Sequence, residues 1–297
     1  MNIKTFNLNT FILQSNNNHY KEKEYKNLTI KKKIGEGAYG LVFLIDNDHV
    51  IKIFKNSTYK NTILNESNYL LPIENENREL IFFYKYVDKK IENNFIINLY
   101  AIGVIRDLIM DNSIKLDINS YFIILPLCIP FYEVYNLWNV PLINEKNGIN
   151  FTLNVMKRLV DISIFLEKKL NVINLDFKLN NFLFSKKSNN LNDFNNLIMI
   201  DFSIIKKYSK KEYESNNLYY IWPESKLIKI ENIPSYSISV NALELLFGNK
   251  EIISLPNNNK INNFLKEIEK KNKKLHKILY YGLILKINTE NFLKLFR

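Results

Sequence analysis

One glycine-rich stretch near the N-terminus has the sequence Gly35-Glu36-Gly37-Ala38-Tyr39-Gly40-Leu41-Val42. It lies between two segments of strand composition, Thr29–Ile34 and Leu41–Ile45. Glycines let backbone N–H groups approach phosphate oxygens, because no Cβ atom stands in the way. A dinucleotide-binding fold has a helix directly after such glycines. Here a strand follows instead. The sequence therefore favours a hairpin that covers nucleotide phosphates and disfavours a dinucleotide-binding fold. A plain glycine-rich turn is the alternative.

A lysine and a glutamate further along could complete a phosphate site. Asp46–Asp48 predicts a turn and His49–Phe54 a third strand, so the three strands form an antiparallel meander. Lys52 stands in the middle of that third strand, although a lysine facing solvent on an edge strand is the alternative. Glu66 lies in a segment with helical spacing and is the candidate partner that would orient the Lys52 ammonium toward phosphates.

The strongest chemical motif follows a long amphipathic helix predicted over Phe151–Leu170. It has the sequence Asn174-Leu175-Asp176-Phe177-Lys178-Leu179-Asn180-Asn181. Asp176 could accept the proton of an attacking hydroxyl, Lys178 could neutralise a transferred phosphoryl group, and Asn181 could ligate Mg²⁺. Asp201 comes 20 residues after Asn181, at the end of an apolar strand, and is the candidate for a second magnesium ligand.

The order of elements predicts an α+β protein with two lobes. We expect a polar, loose N-terminal arm over residues 1–28 and a small antiparallel, strand-rich lobe with one main helix, Asn61–Leu71, over residues 29–127. A larger and mainly helical lobe follows over residues 128–297. Its helices include Ser237–Phe247 and two or three lysine-rich segments after Asn262.

Taken in order, these motifs resemble those of eukaryotic-type protein kinases over Thr29–Gly248. Asp201-Phe202-Ser203 stands where that family has Asp-Phe-Gly, and Trp222-Pro223-Glu224 where it has Ala-Pro-Glu. The resemblance implies a bilobal kinase fold that uses ATP with Mg²⁺, or with Mn²⁺ in its place. It also implies a set of ATP-binding positions: Gly35, Glu36, Gly37, Ala38, Tyr39, Gly40, Val42, Lys52, Glu66, Leu127 and Cys128.

Several positions depart from the family pattern. Asn174-Leu175 replaces the His-Arg that precedes the catalytic aspartate, which predicts activity independent of phosphorylation on the activation segment. Ser203 replaces a glycine, and Pro234 stands about where an aspartate usually steadies the catalytic loop. Glu224 has no evident arginine partner. These departures are similar to those of the divergent serine/threonine kinases of poxviruses, including insect-infecting ones, and especially of the virion-assembly group.

The resemblance implies transfer of the ATP γ-phosphoryl group to serine or threonine hydroxyls of protein substrates, since Lys178 follows Asp176 by two residues. Three alternatives stay open. A small-molecule kinase of related fold usually lacks that lysine, and a pseudokinase that acts as an interaction module would lack some of the polar groups present here. A basic nucleic-acid-binding protein would cluster its lysines with exposed aromatic residues on one face.

Composition limits what the net charge of +11 can mean. The chain has 37 Lys and 47 Asn but only 4 Arg and 3 Ala, a bias typical of an A+T-rich genome. Most of the charge is therefore compositional, and we expect no specific nucleic-acid partner.

The single cysteine, Cys128, excludes an internal disulfide and favours a reducing, cytoplasmic location, or host cytoplasm and virion under the viral resemblance. No segment predicts a membrane span or a signal peptide, which leaves peripheral membrane association open.

Overall fold

The structure is a computed structural model that describes twelve segments of the chain. These are residues 6–16, 19–37, 40–58, 94–109, 120–135, 141–185, 193–202, 205–209, 212–214, 227–248, 258–284 and 286–297. The chain divides into two compact units. Met1–Glu92 and Ile97–Cys128 form the first, and Asn93–Ile96 and Ile129–Arg297 form the second. Sequence analysis drew this division one residue earlier, after Leu127.

The first unit contains one antiparallel sheet of seven strands. They are β1 (Phe6–Asn16), β2 (His19–Ile30), β3 (Lys32–Glu36), β4 (Gly40–Leu44), β5 (His49–Thr58), β6 (Ala101–Ile109) and β7 (Ser120–Pro126). Their order across the sheet is β2-β1-β6-β7-β5-β4-β3. The predicted meander is confirmed, because β4 pairs with β3 on one side and with β5 on the other. The helix expected over Asn61–Leu71 lies outside the described residues.

The N-terminal segment differs from the loose arm that its polar composition suggested. Strands β1 and β2 pair with each other from Phe6↔Ile30 to Asn16↔His19, and β1 also pairs with β6. Backbone hydrogen bonds on both sides of β1 satisfy its polar groups whatever side chains it carries. A composition rich in Asn and Lys therefore could not reveal a hairpin added to the edge of an existing sheet.

One face of the first unit's sheet forms a hydrophobic core. Leu41 and Phe43 of β4 pair with Ile53 and Ile51 of β5, and all four side chains are buried. Phe122 and Ile124 of β7 extend the same face through the next ladder. Because side chains alternate along a strand, the residues between these positions point to the opposite face.

The second unit is mainly helical. Its strands are β8 (Cys128–Pro130), which begins at the boundary, β9 (Val172–Asn174), β10 (Phe182–Ser185), β11 (Leu197–Met199), β12 (Ile205–Lys207), β13 (Glu212–Glu214) and β14 (Leu227–Lys229). Its helices are α1 (Phe131–Tyr135), α2 (Gly148–Phe165), α3 (Ile233–Phe247), α4 (Asn258–Lys271), α5 (Lys273–Leu283) and α6 (Thr289–Lys294). A π-helical turn, Leu166–Leu170, continues α2 to the end of the predicted helix. The expected mainly helical character of this part is confirmed.

Two short strand pairs in the second unit hold the segments that carry the candidate chemistry. β10 pairs with β11, and β9 pairs with β12, so the second pair encloses the first in the sequence. The sequence itself, with short apolar stretches at Val172–Ser185 and Leu197–Ile205 and an Asn-rich turn between them, suggested two small separate hairpins instead. Helix α3 is buried along almost its whole length, consistent with its apolar composition. Within the described segments, no helix is both long and apolar enough to cross a bilayer.

Candidate functional site

In the first unit, Lys52 and Val42 lie side by side on the face of the sheet opposite the hydrophobic core. They are direct partners in the β4–β5 ladder, and both side chains are half-buried. The Lys52 Nζ atom lies 5.6 Å from the centroid of the Phe54 ring, two residues along the same strand. Gly35 pairs with Val42 from the other side, so the glycine-rich strand and Lys52 share one face. Glu66, the candidate partner of Lys52, lies outside the described residues.

Two glycines of the turn have different physical reasons to be glycine. At Gly40, an added Cβ would lie 2.8 Å from the carbonyl oxygen of Ile53, so the close approach of β5 alone requires glycine. At Gly37, an added Cβ would meet nothing within 4 Å, so the space beside its Cα atom is open to an approaching group. The Gly37 N–H donates to the Gly40 carbonyl oxygen at 2.9 Å and closes the turn. Ala38 and Tyr39 lie outside the described residues.

A charged clamp, formed by Glu36, Lys33 and Lys55, holds the start of this turn. The Lys55 ammonium donates to Glu36 Oε1 at 2.6 Å and to the Gly37 carbonyl oxygen at 3.2 Å. The Lys33 ammonium donates to the other Glu36 oxygen. Hydrogen bonds from Lys33 and Lys55 lower the pKa of Glu36 to about 2. Sequence analysis assigned Glu36 to ATP binding, whereas its carboxylate here bonds to two lysines of its own sheet.

Strand β7 is followed by Leu127 and Cys128, two of the ATP-binding positions that the resemblance implies. The backbone N–H of Leu127 donates to the Asp48 carbonyl oxygen at 2.7 Å, so this donor is already used within the first unit. Cys128 begins strand β8. The side chains of Leu127 and Cys128 are both half-buried. Of the two residues, Leu127 thus retains its carbonyl oxygen rather than its N–H for a ligand.

In the second unit, three of the predicted site residues come together in residues 174–181, which we call the catalytic loop after the role that the sequence predicts for it. The Lys178 ammonium lies 2.8 Å from Asp176 Oδ2, and the Asp176 side chain is only 13% exposed. Asn181 donates from Nδ2 to the Asp176 carbonyl oxygen at 2.8 Å and to Asp176 Oδ2 at 3.1 Å. A carboxylate held by an ammonium and an amide is fixed in direction, which a group that accepts a proton requires.

Asn174 links this loop to Asp201. Its Oδ1 accepts the Asp176 N–H at 2.8 Å, while its Nδ2 donates to the Asp201 carbonyl oxygen at 2.8 Å. Asp201 has a φ of 62°, in the left-handed region that non-glycine residues seldom occupy. Such strain persists where surrounding contacts enforce it, as they do here. Asn174 therefore performs a connecting role that sequence analysis did not assign to it. Ser203 lies outside the described residues.

Asn241 of helix α3 is a further supporting residue that sequence analysis missed. Its Nδ2 donates to the Phe177 carbonyl oxygen at 2.8 Å, and its Oδ1 accepts from the Leu179 N–H at 3.2 Å. Sequence analysis placed the usual position for such support, an aspartate in related proteins, at about Pro234. Pro234 lies in the first turn of α3, where a proline is tolerated. The sequence signal that could have indicated this role is a polar residue within a largely apolar helix.

Arg158 supports the strand that leads to Asp201. Its guanidinium donates to the carbonyl oxygens of Leu197 at 3.0 and 2.9 Å, of Asn195 at 2.7 Å and of Asn94. It also packs 4.6 Å from the centroid of the Phe95 ring. The residue is 4% exposed, and burial lowers its pKa to about 10, so it stays protonated at neutral pH. Helix α2 is thereby fastened to strand β11.

Asn181 and Asp201 suit a magnesium ion bound together with phosphate. Mg²⁺ prefers oxygen ligands and commonly takes one or two protein groups, with water and substrate phosphates completing its shell. Both Asn181 Nδ2 bonds go to Asp176, which leaves the side-chain carbonyl oxygen as the ligand. Among the described residues, no three acidic, His or Cys side chains form a cluster that could hold a metal alone. The donor set therefore fits a nucleotide-bound ion.

A small cavity lies beside Asp176, between the catalytic loop and helix α3. It is lined by Leu175, Asp176, Phe177, Lys178, Ser237, Val240 and Asn241. Its volume of about 10 Å³ accommodates roughly one water molecule. This cavity is too small for a nucleotide.

Comparison with known proteins identifies the class of fold. The chain aligns with a solved chain of the CAK (cyclin-dependent kinase-activating kinase) complex from Chaetomium thermophilum bound to ATP-γ-S. The alignment covers 89% of this chain and 88% of that chain, with 14% sequence identity and a TM-score of 0.54. No family model matches the sequence, and no curated protein matches it. The protein thus has the α+β, bilobal, protein-kinase-like fold that the sequence predicted.

Proposed function

We propose that the protein is a serine/threonine protein kinase that transfers the γ-phosphoryl group of ATP to protein hydroxyls. The observation that carries the proposal is the arrangement of Asp176, Lys178 and Asn181 within one loop of a protein-kinase-like fold. Asp201, joined to that loop by Asn174, supplies a further carboxylate. The likeness to a complex bound to an ATP analogue supports ATP as the nucleotide.

Each polar group has a defined task in this reaction. Asp176 accepts the proton of the acceptor hydroxyl while that oxygen bonds to the γ-phosphorus and the bond to the β-phosphate oxygen breaks. Lys178 offsets the charge on the phosphoryl oxygens. Asn181 and Asp201 would hold Mg²⁺, which neutralises phosphate charge when it is bound with the nucleotide. In the first unit, the open space beside the Gly37 Cα atom would let phosphates approach the turn, and Lys52 would supply an ammonium for them.

Serine or threonine specificity rests on the resemblance rather than on a contact. Within that family, a lysine two residues after the catalytic aspartate favours Ser/Thr over Tyr acceptors, and Lys178 stands at this position. The proposal of protein substrates rather than small molecules rests on the same lysine and on the Pro223-Glu224 segment, which lies outside the described residues.

The direct test is incubation of the purified protein with γ-labelled ATP, Mg²⁺ and a generic protein acceptor, followed by phosphoamino-acid analysis. Label on serine and threonine that requires Asp176 supports the proposal. Label on tyrosine alone would change the acceptor class. Label on an added small alcohol or aminoglycoside, with none on protein, would favour a small-molecule kinase. Nucleotide binding with no transfer under any of these conditions would favour a pseudokinase.

The departures from the family pattern also support a proposal of lineage. The combination of Asn174-Leu175 before the catalytic aspartate with an A+T-type composition is similar to divergent poxvirus kinases. The protein would then act in the host cytoplasm and enter virions. Detection of the protein, by specific antibody or mass spectrometry, in purified virions would support this lineage, and its presence in a cellular genome would refute it.

A further inference from the structure

Helix α5 exposes a face that its hydrophobic packing does not use. Its apolar side chains are buried against the second unit: Leu275, Ile278, Leu279 and Leu283. Its outward positions follow helical spacing and form what we call the basic tyrosine face, made of Lys273, His276, Lys277, Tyr280 and Tyr281. Tyr280 is 46% exposed and Tyr281 39%, so two of the four exposed large hydrophobic residues in the described segments are adjacent here.

Positive charge is concentrated in the part of the chain that contains this face. Residues 270–297 contain eight Lys and Arg side chains and one acidic residue, Glu290. The other 269 residues contain 33 basic and 29 acidic side chains, so they are close to balance. Genome composition explains why the basic residues are lysines rather than arginines. It does not explain why acidic residues are scarce in this one segment, so the asymmetry indicates an anionic partner.

The rings and ammonium groups of the face are arranged for joint contact. The His276 and Tyr280 rings are stacked with centroids 6.2 Å apart, and the Tyr280 and Tyr281 rings meet edge to face at 5.8 Å. Lys273 and Lys277 are one helical turn apart, about 6 Å along the axis. Within the described part of the chain, no carboxylate lies within ion-pair distance of either lysine.

We propose that the basic tyrosine face binds single-stranded nucleic acid without sequence preference. Exposed tyrosine rings offer stacking surfaces to unpaired bases, and lysines one turn apart can contact successive backbone phosphates. A duplex keeps its bases stacked and would leave the rings unused. An anionic membrane would need large apolar side chains to insert beside the lysines, and in α5 the leucines and isoleucines named above are buried instead. The inference does not depend on kinase activity.

The test is fluorescence anisotropy of a labelled 20-nucleotide mixed-sequence DNA strand, and of the same RNA, titrated with the full chain at several salt concentrations. We expect Tyr280→Ala/Tyr281→Ala to weaken binding by at least about fivefold, because each stacked base is lost. Tyr280→Phe/Tyr281→Phe keeps the rings and should bind like the wild type. Lys273→Gln/Lys277→Gln should make the slope of log K against log salt shallower by about 1.4, which corresponds to two phosphate contacts.

Matched controls separate this face from general charge and hydrophobicity. Lys31→Gln/Lys32→Gln removes two exposed lysines from the first unit, and Tyr100→Ala removes an exposed tyrosine there. Both should bind like the wild type, and circular dichroism should show that all variants are folded. Equal binding by the Tyr280→Ala/Tyr281→Ala protein would overturn the proposal. So would tighter binding to the duplex, to acidic polyglutamate or to phosphatidylserine vesicles than to the single strand.

Discussion

Asn241 donates a hydrogen bond from its side-chain amide to the carbonyl oxygen of Phe177, the residue next to Asp176, over 2.8 Å. The same side chain accepts the N–H of Leu179, so it holds the backbone on both sides of Lys178. Asn241 is 2% exposed and belongs to α3, a helix buried along almost its whole length. The catalytic loop is therefore fixed to the interior of the second unit by one amide side chain.

Replacing Asn241 should slow phosphoryl transfer more than it weakens ATP binding. Asn241→Ala leaves a buried carbonyl and a buried N–H without partners, which costs about 1–3 kcal/mol of stability for such groups. Because the loop then loses its anchor, kcat should fall at least about tenfold, since small displacements of catalytic groups are costly. The KM for ATP should change less than twofold. Steady-state kinetics and urea denaturation measure both effects.

A buried serine of the same helix provides the control for Asn241. Ser239 donates to the Ser235 carbonyl oxygen within α3 rather than to the catalytic loop. Ser239→Ala should therefore leave kcat within about twofold of the wild type, within the modest range of most single substitutions. Equal losses of kcat in the two variants would show that Asn241 acts through stability alone.

Replacing Arg158 should destabilise the second unit. Arg158→Met keeps much of the side-chain volume but removes every donor to the carbonyl oxygens of Leu197, Asn195 and Asn94. We expect a loss of about 2 kcal/mol or more in the free energy of unfolding, because buried acceptors lose their partners. Lys157→Met, at the exposed neighbouring position, should change stability by less than about 0.5 kcal/mol. A small effect for both variants would contradict the role given to Arg158.

Releasing the clamp on the glycine-rich turn should weaken ATP binding. Glu36→Gln removes the negative charge that Lys33 and Lys55 share, so the turn loses its two ion pairs and its link to Lys55 of β5 is weakened. The KM for ATP should rise about two- to fivefold, a modest effect in line with exposed ion pairs. Since the pKa of Glu36 is about 2, the clamp of the wild type should persist at every assay pH above 4. Lys32→Gln is the control, and an unchanged KM in Glu36→Gln would show that the clamp does not order the turn.

The buried carboxyl of Glu244 should make stability fall as pH rises. Burial raises the pKa of Glu244, and the Tyr132 hydroxyl donates a hydrogen bond to its carboxyl group. The folded protein therefore keeps a proton on Glu244 that the unfolded chain has already lost. This proton's contribution to stability disappears as pH rises from the ordinary glutamate pKa of 4.5 toward the higher pKa of the folded protein. The free energy of unfolding of Glu244→Gln, measured relative to that of the wild type, should therefore be higher at pH 8 than at pH 5. Urea denaturation at the two pH values measures this, with exposed Glu269→Gln as a control that shows no such change.

Much of the local chemistry could be predicted from the sequence because it depends on residues close together along the chain. Asp176, Lys178 and Asn181 lie within six residues, and a short turn is enough to bring their side chains into contact. The meander around Lys52 is likewise a product of consecutive strands. Alternating burial then determines which face Lys52 occupies.

Other features depend on residues far apart in the sequence and were missed for that reason. Asn241 lies 62 residues from Leu179, and nothing in a local pattern relates the two. The β1–β2 hairpin was hidden because it joins the sheet through β6, whose residues lie far along the chain from β1. Gly40 was expected among the ATP-binding positions, while the close approach of the Ile53 carbonyl oxygen already requires glycine there.

The measurement that tests the central claim most directly compares Asp176→Asn with the wild type in two assays on the same preparations. The substitution preserves shape and the acceptor for Lys178 but removes the charge that takes up the hydroxyl proton. Transfer of labelled phosphate to protein should fall by at least about a hundredfold, the usual range for loss of a general base. The dissociation constant for Mg²⁺–ATP should stay within about twofold, or ~0.4 kcal/mol, because the proposed magnesium ligands are Asn181 and Asp201 and not Asp176. Undiminished transfer by Asp176→Asn would contradict the account.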